Sequence, residues 1–237
     1  MPPALESSSR SASLDEVSVT HTRVWDLPTR VFHWALAGAV TGQLATGFGG
    51  AMEWHFRVGY AVLSLLLFRV VWGFIGGRWS RFAAFAYSPR SILNYLRGRA
   101  HPDHLIGHTP LGALSVFALL AILALQVASG LIADDEIMAS GPLTRFVSGA
   151  TVSLATAWHT TFGKWLAIAL VSLHVLAVLF YVAIKRHPLV RPMIFGDKPV
   201  PDSSPAPSRD DIASRLLALM VFVACAAFAT WIASLRA

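Results

Sequence analysis

The chain has 237 residues, of which 55% are hydrophobic and only 14% charged, and its net charge is +6. Soluble domains carry about 25% charged residues, so this chain lacks the material to coat a water-facing surface; disorder, a coiled coil and most soluble enzymes are excluded. The one cysteine, Cys225, permits no internal disulfide.

Residues 1–22 are polar and Ser-rich (ESSSRSAS) and read as a mobile cytoplasmic tail. Five long apolar segments follow, at 31–48, 56–76, 110–133, 160–184 and 212–235. Each approaches or exceeds the roughly 20 residues that an α-helix needs to cross a ~30 Å hydrocarbon layer. None alternates in polarity as a barrel strand would, so five transmembrane helices are predicted. A Pro-rich linker, GDKPVPDSSPAPSRDD at 196–211, sets the last helix apart. The predicted fold class is therefore all-α integral membrane: a four-helix transmembrane bundle over 23–195, with an appended fifth helix in 212–237.

Basic residues orient the segments. Thirteen of the nineteen Lys and Arg fall in the N-terminal tail and in the second-to-third and fourth-to-fifth connections. The opposite side carries Arg57, Arg145, Lys164 and Arg236 with the acidic run Asp134, Asp135, Glu136. The positive-inside rule then places the N-terminus in the cytoplasm and the C-terminus outside. Topology accounts for the net charge, so lipid is the expected partner and nucleic acid is not.

Nine histidines separate by depth. His21, His101, His104 and His187 fall in cytoplasmic loops, and His108 in GHTPLG either touches a cofactor edge or caps the third helix. His33, His55, His159 and His174 lie in or at the margins of the bilayer, where an ionisable side chain is costly and a functional role is the default. The alternating helix directions put His33 level with His174 near the cytoplasmic side, and His55 level with His159 near the outer side. Fifteen residues separate the two levels on the fourth segment by about 22 Å. Two pairs of neutral imidazoles stacked across a bundle suit two six-coordinate haems, each with His on both axial faces. Zinc would need a third or fourth protein ligand at each level. The spans hold no interior Asp or Glu, which argues against a hard-cation site, a carboxylate proton relay, and a histidine-relay transporter or proton channel.

Arg69, fourteen residues past His55, is placed to pair with a propionate of the inner haem, with snorkelling to headgroups as the alternative. Gly38, Gly42, Gly47, Gly59, Gly73 and Gly163 suit either a flat cofactor or close helix packing. Trp25, Trp34, Trp54, Trp72, Trp79, Trp158 and Trp165 cluster near span ends, as interfacial anchors do.

The segments VWDLPTRVFHW, HFRVGYAVLSLLLFRVVWGFIG and GHTPLG, with the two-histidine fourth helix and HPLVRPMIFG, together resemble one bacterial family. It is the prokaryotic cytochrome b-561 family, which includes the cytochrome b subunit of nickel–iron hydrogenases. The likeness covers about residues 23–198. It implies a four-helix bundle with two b-type haems on His33, His55, His159 and His174, and electron exchange with the quinone pool. The family's fourth-helix histidines are usually fourteen apart, whereas here they are fifteen apart, so a π-bulge or a shifted ring has to absorb one residue at His159.

The expected function is a di-haem cytochrome of the inner membrane, relaying electrons between quinone and a partner redox protein or a small oxidant or reductant. An anchor subunit of a hydrogenase or other dehydrogenase complex is the alternative. Quinone oxidoreductase activity and a homodimer are compatible with either. The chain has no iron–sulfur or flavin motif, so any catalytic partner is another chain.

Overall fold

The computed structural model describes residues 20–99, 106–137, 139–200 and 206–236. A short strand β1 (Thr20–Arg23) leads into α1 (Leu27–Phe48) and α2 (Met52–Ile75). The short α3 (Pro89–Leu96) precedes α4 (Pro110–Ile132). After it come α5 (Gly149–Ala157), a π-helical turn (Trp158–Phe162) and α6 (Gly163–Ala183). The chain closes with α7 (Val190–Phe195), β2 (Asp197–Val200) and α8 (Ile212–Ser234).

Local chemistry sets the ends. Asp26, Ser88, Thr109, Ser148 and Asp211 each cap a helix by accepting a backbone N–H three residues on. Pro28, Pro89 and Pro110 stand in first turns, where the missing N–H costs nothing. The fourth predicted segment begins earlier than its apolar run, because α5, the π turn and α6 form one helical stretch over Gly149–Ala183.

Four helical stretches are long and apolar enough to cross a membrane: α2, α4, Gly149–Ala183 and α8. The first predicted span, α1, has the length at 22 residues but is not among them. It carries Thr29, Arg30, His33, Thr41, Gln43 and Thr46 as well as three glycines. What holds α1 in the bundle is antiparallel packing along α2.

Helix α2 is the spine. On one side Phe32, Leu65, Phe68, Trp72, Ala218 and Cys225 bury the junction of α1, α2 and α8. On another, Val62, Leu66, Ile122, Leu123 and Ala167 join α2 to α4 and α6. Four of the five buried side chains on α8, Ser214, Ala218, Cys225 and Ala229, are small, which allows close approach; the fifth is Ile232. The outward faces stay apolar, with Leu173, Leu176 and Leu179 of α6 all exposed, as a lipid-facing surface requires.

The stretch before α8 is not a free spacer. Residues 197–200 pair antiparallel with β1, Thr20 opposite Val200 and Arg23 opposite Asp197, so Thr20–Thr22 are part of a strand. Residues 1–19, His101 and His104 lie outside the described residues, while His21 sits in β1. Gly196 makes the turn into β2 at φ +96°, a left-handed conformation, and its carbonyl accepts from Val24 and Trp25 N–H at 3.0 and 3.1 Å. Ser208 hydrogen-bonds the Arg23 and Val24 carbonyls, both at 2.8 Å. Asp210, nearly buried, joins Arg23 (2.6 Å), Arg215 (3.0 Å) and the Leu27 N–H (3.0 Å). This clasp ties the start of α1 to the start of α8.

Burial pushes the Asp210 carboxyl up, but Arg215, the Leu27 N–H and Arg23 outweigh it and hold it below the ordinary carboxylate value. A depressed folded value means that this contribution is present above about pH 4 and is lost as pH falls through the folded value. Asp210→Asn is therefore expected to speed hydrogen exchange at the β1 and β2 amides at neutral pH, with the amides of α2 unaffected. Mild acid should have the same selective effect on the unaltered chain.

Candidate haem sites

At the end of the bundle remote from the clasp, α1–α2 and α4–α6 present the same construction twice. His55 lies in the first turn of α2 and His159 in the π turn, and their rings face each other at 6.0 Å between centroids, 83° apart in plane. Two metal–imidazole bonds of about 2 Å plus the two ring radii span a gap of this size.

His159 Nδ1 is 2.9 Å from the Gln126 carbonyl and His55 Nδ1 is 3.2 Å from the Gln43 carbonyl. A carbonyl only accepts, so both Nδ1 atoms carry the proton, and Nε2 of each ring keeps its lone pair for a metal. The side chains return the contact: Gln43 Nε2 donates to the His55 carbonyl and Gln126 Nε2 to the His159 carbonyl, each at 3.1 Å. Thr46 and Ser129 hydroxyls stand 3.4 and 3.3 Å from the two Nδ1 atoms. Gly47 and Gly130 let the rings in: a Cβ at Gly130 would lie 2.7 Å from His159 Cε1, and one at Gly47 would lie 3.2 Å from His55 Cε1. Gly59 and Gly163, four residues past each histidine, leave room for the glutamine side chains.

The π turn over Trp158–Phe162 contains His159 and inserts one extra residue into the helix. It absorbs the fifteen-residue spacing to His174, so the two histidines of this stretch keep the register that fourteen α-helical residues would give.

At the clasp end stand His33, in the second turn of α1, and His174, on α6. His33 Nδ1 is buried without a hydrogen-bond partner, and His174 Nδ1 lies 3.4 Å from the Ser115 hydroxyl. Arg69 is 3% exposed, lies over the Phe82 ring at 4.6 Å, and leaves Nη1 without a partner. It is a buried cation, not a snorkelling one. His108 does not cap α4; Thr109 does. The His108 ring sits against Trp25 (4.6 Å) and Phe85 (4.3 Å) with its Nδ1 buried and unpartnered. Its pKa is pushed down to about 3, by burial first and then by cationic Arg69 and Lys198 and by His33, so it is a neutral imidazole.

Among the described residues no three His, Cys, Asp or Glu side chains converge as a metal cage. The outer donors form one opposed pair, which suits a metal that brings further ligands of its own, as haem iron does. The unpartnered Nδ1 of His33 and the unpartnered Nη1 of Arg69 also fit a haem with its carboxylates.

Two features are not announced by charge or hydropathy. The first is the pair Gln43 and Gln126, neutral amides at depth, although QLATG (43–47) and QVASG (126–130) repeat the same pattern. Each histidine then begins an HxxxG step, at 55–59 and 159–163. The second is Asp26, 0% exposed, which accepts from Thr29 N–H (2.8 Å), Ser80 Oγ (2.8 Å), Gly77 N–H (3.1 Å) and Trp72 Nε1. Trp72, 1% exposed, is consequently a core residue and not an interfacial anchor, and Trp25 and Trp79 are buried with it.

Opposed imidazoles within a bundle of apolar helices, with no third His, Cys, Asp or Glu beside them among the described residues, define a membrane cytochrome of the b type. The sequence pattern of the prokaryotic cytochrome b561 family matches residues 24–196, and the chain belongs to that family. Its cofactor is accordingly haem b, and its role is electron transfer in a membrane.

Relatives include the probable Ni/Fe-hydrogenase B-type cytochrome subunit of Azotobacter chroococcum mcd 1, 25% identical over 78% of this chain and 92% of that protein. The subunits of the same name from Rhodobacter capsulatus and Azotobacter vinelandii are 25% and 24% identical, over 77% and 78% of this chain and 83% and 92% of theirs. No solved structure matches the chain significantly.

Proposed function

We propose that the chain holds two b-type haems, one between His33 and His174 and one between His55 and His159, and relays electrons across the inner membrane. The carrying observation is the facing pair His55 and His159, 6.0 Å apart with both Nδ1 protons committed to carbonyls. Haem held by these histidines would supply reversible one-electron chemistry at iron, and the residues that would hold it are His33 and His174 at one level and His55 and His159 at the other.

The protein's part is to bind, orient and insulate. Gln43 and Gln126 fix the outer imidazoles; Arg69 offers its free Nη1 to a propionate of the inner group. His108, neutral between Trp25 and Phe85, lines the inner site's edge without adding charge. The 23–195 segment forms the di-haem bundle, α1 included, with the N-terminus in the cytoplasm and the C-terminus in the periplasm. Quinone is the small electron partner at one face.

The partner at the other face is a redox protein. The names of the relatives favour a hydrogenase, for which this chain would be the membrane subunit. Purified protein is expected to show a b-type band in the reduced-minus-oxidised spectrum and two haems per chain by pyridine haemochrome; one haem or none would sink the assignment. Co-purification of a hydrogenase after mild solubilisation decides between an anchor subunit and a free-standing quinone oxidoreductase.

A further inference from the structure

The outer histidines are held alike, and the inner ones are not. Both outer Nδ1 atoms donate to a carbonyl, with the flanking glutamine amide returning the bond to the histidine's own backbone. Among the described residues no carbonyl accepts from His33 or His174: one Nδ1 is unpartnered and the other meets only the Ser115 hydroxyl at 3.4 Å. The burial of the nearby charge differs as well. Arg69, 3% exposed, lies over the Phe82 ring at 4.6 Å and 6.0 Å from the Phe85 ring, which packs on His108 at 4.3 Å, whereas the cation acting on outer His159 is Lys164, only part-buried over the Phe48 and Trp165 rings.

Both differences shift the equilibrium at iron in one direction. An imidazole whose N–H is given to a carbonyl is a stronger donor, which favours ferric over ferrous iron and lowers the reduction potential. A buried cation beside the other centre disfavours the extra positive charge of the ferric state and raises the potential there. Neither effect needs a conformational change.

We propose that Gln43 and Gln126 are matched positioning residues that make the outer haem the lower-potential centre of the two. The membrane relay is then polarised, with an electron resting preferentially at the inner, Arg69-bearing level. This rests on the two-haem assignment above. Each glutamine acts through its histidine: it ties α1 to α2 and α4 to the π turn, so that the accepting carbonyl stays in register with Nδ1.

The test is an optical potentiometric titration of the purified holoprotein, run after haem stoichiometry is measured. The unaltered protein should give two resolved one-electron components. Gln43→Leu and Gln126→Leu should each raise the lower component and leave the upper one in place. At a fixed potential the oxidised-to-reduced ratio of that component should change about tenfold, equivalent to about 59 mV for a one-electron couple.

Ser129→Ala and Thr46→Val should move the same component by less, and Thr46→Ser should restore it. Arg69→Leu should lower the upper component alone. A lower component that stays put in variants retaining both haems, or movement of the upper component instead, would overturn the proposal. Where a glutamine variant loses haem, the hydroxyl variants decide by the same criterion. Fewer than two haems in the unaltered protein is a different failure, that of the two-haem assignment, and it is seen before any potential is read.

Discussion

His159→Ala is expected to leave the purified protein with about one haem per chain, and His33→Ala to leave about one by removing the other. His159 is the stricter case, because His55 stands 6.0 Å away and no third His, Cys, Asp or Glu joins the pair among the described residues. A six-coordinate site that loses one imidazole becomes five-coordinate at best, with binding weakened and iron open to small ligands. His159→Ala reduced protein should therefore either lack the outer haem or bind carbon monoxide there, while the unaltered protein binds none. Retention of both haems in a carbon-monoxide-inert state would remove His159 from the ligand set. The double variant His33→Ala with His159→Ala should be free of haem.

Asp26→Ala is expected to be the most destabilising single change outside the haem ligands. The carboxylate takes hydrogen bonds from two backbone N–H groups, the Ser80 hydroxyl and the Trp72 indole, all in a fully buried setting. Each buried donor left without a partner costs about 1–3 kcal/mol, and Ala also removes the cap of α1. Water filling the gap recovers part of this, leaving a loss of roughly 3–5 kcal/mol. Asp26→Asn keeps one acceptor oxygen and should cost about half as much. Thermal unfolding in detergent, followed by tryptophan fluorescence, measures it. A midpoint within about 2 °C of the unaltered protein, worth under 1 kcal/mol at this size, would show the node to be dispensable.

The helices and the histidine levels were legible because both depend on coarse quantities. Apolar run length marks α2, α4, α6 and α8, and alternating direction brings His33 near His174 and His55 near His159. The details that fix the sites depend on neutral polar groups, to which composition and charge are blind. Gln43 and Gln126 look like incidental amides until the repeat around them is aligned. Asp26 looks like an ordinary helix cap, and only the fold brings Trp72, Gly77 and Ser80 to it. The β1–β2 clasp joins residues 174 apart, such as Arg23 and Asp197, which no local pattern announces. In α1 the apolar signal is diluted by the polar residues that serve the site, so its place is set by packing on α2 and not by hydropathy.

The π turn at His159 has a consequence for the other end of the molecule. With its extra residue taken out of the count, His174 stands fourteen helical steps from His159, as Arg69 stands fourteen from His55. The two side chains are counterparts, an imidazole on one hairpin and a buried guanidinium on the other. The hairpins therefore mirror each other at the outer level and part company at the inner one, where the second histidine, His33, stands on α1. A single inserted residue near one surface keeps that division of labour in register about 21 Å away, near the other.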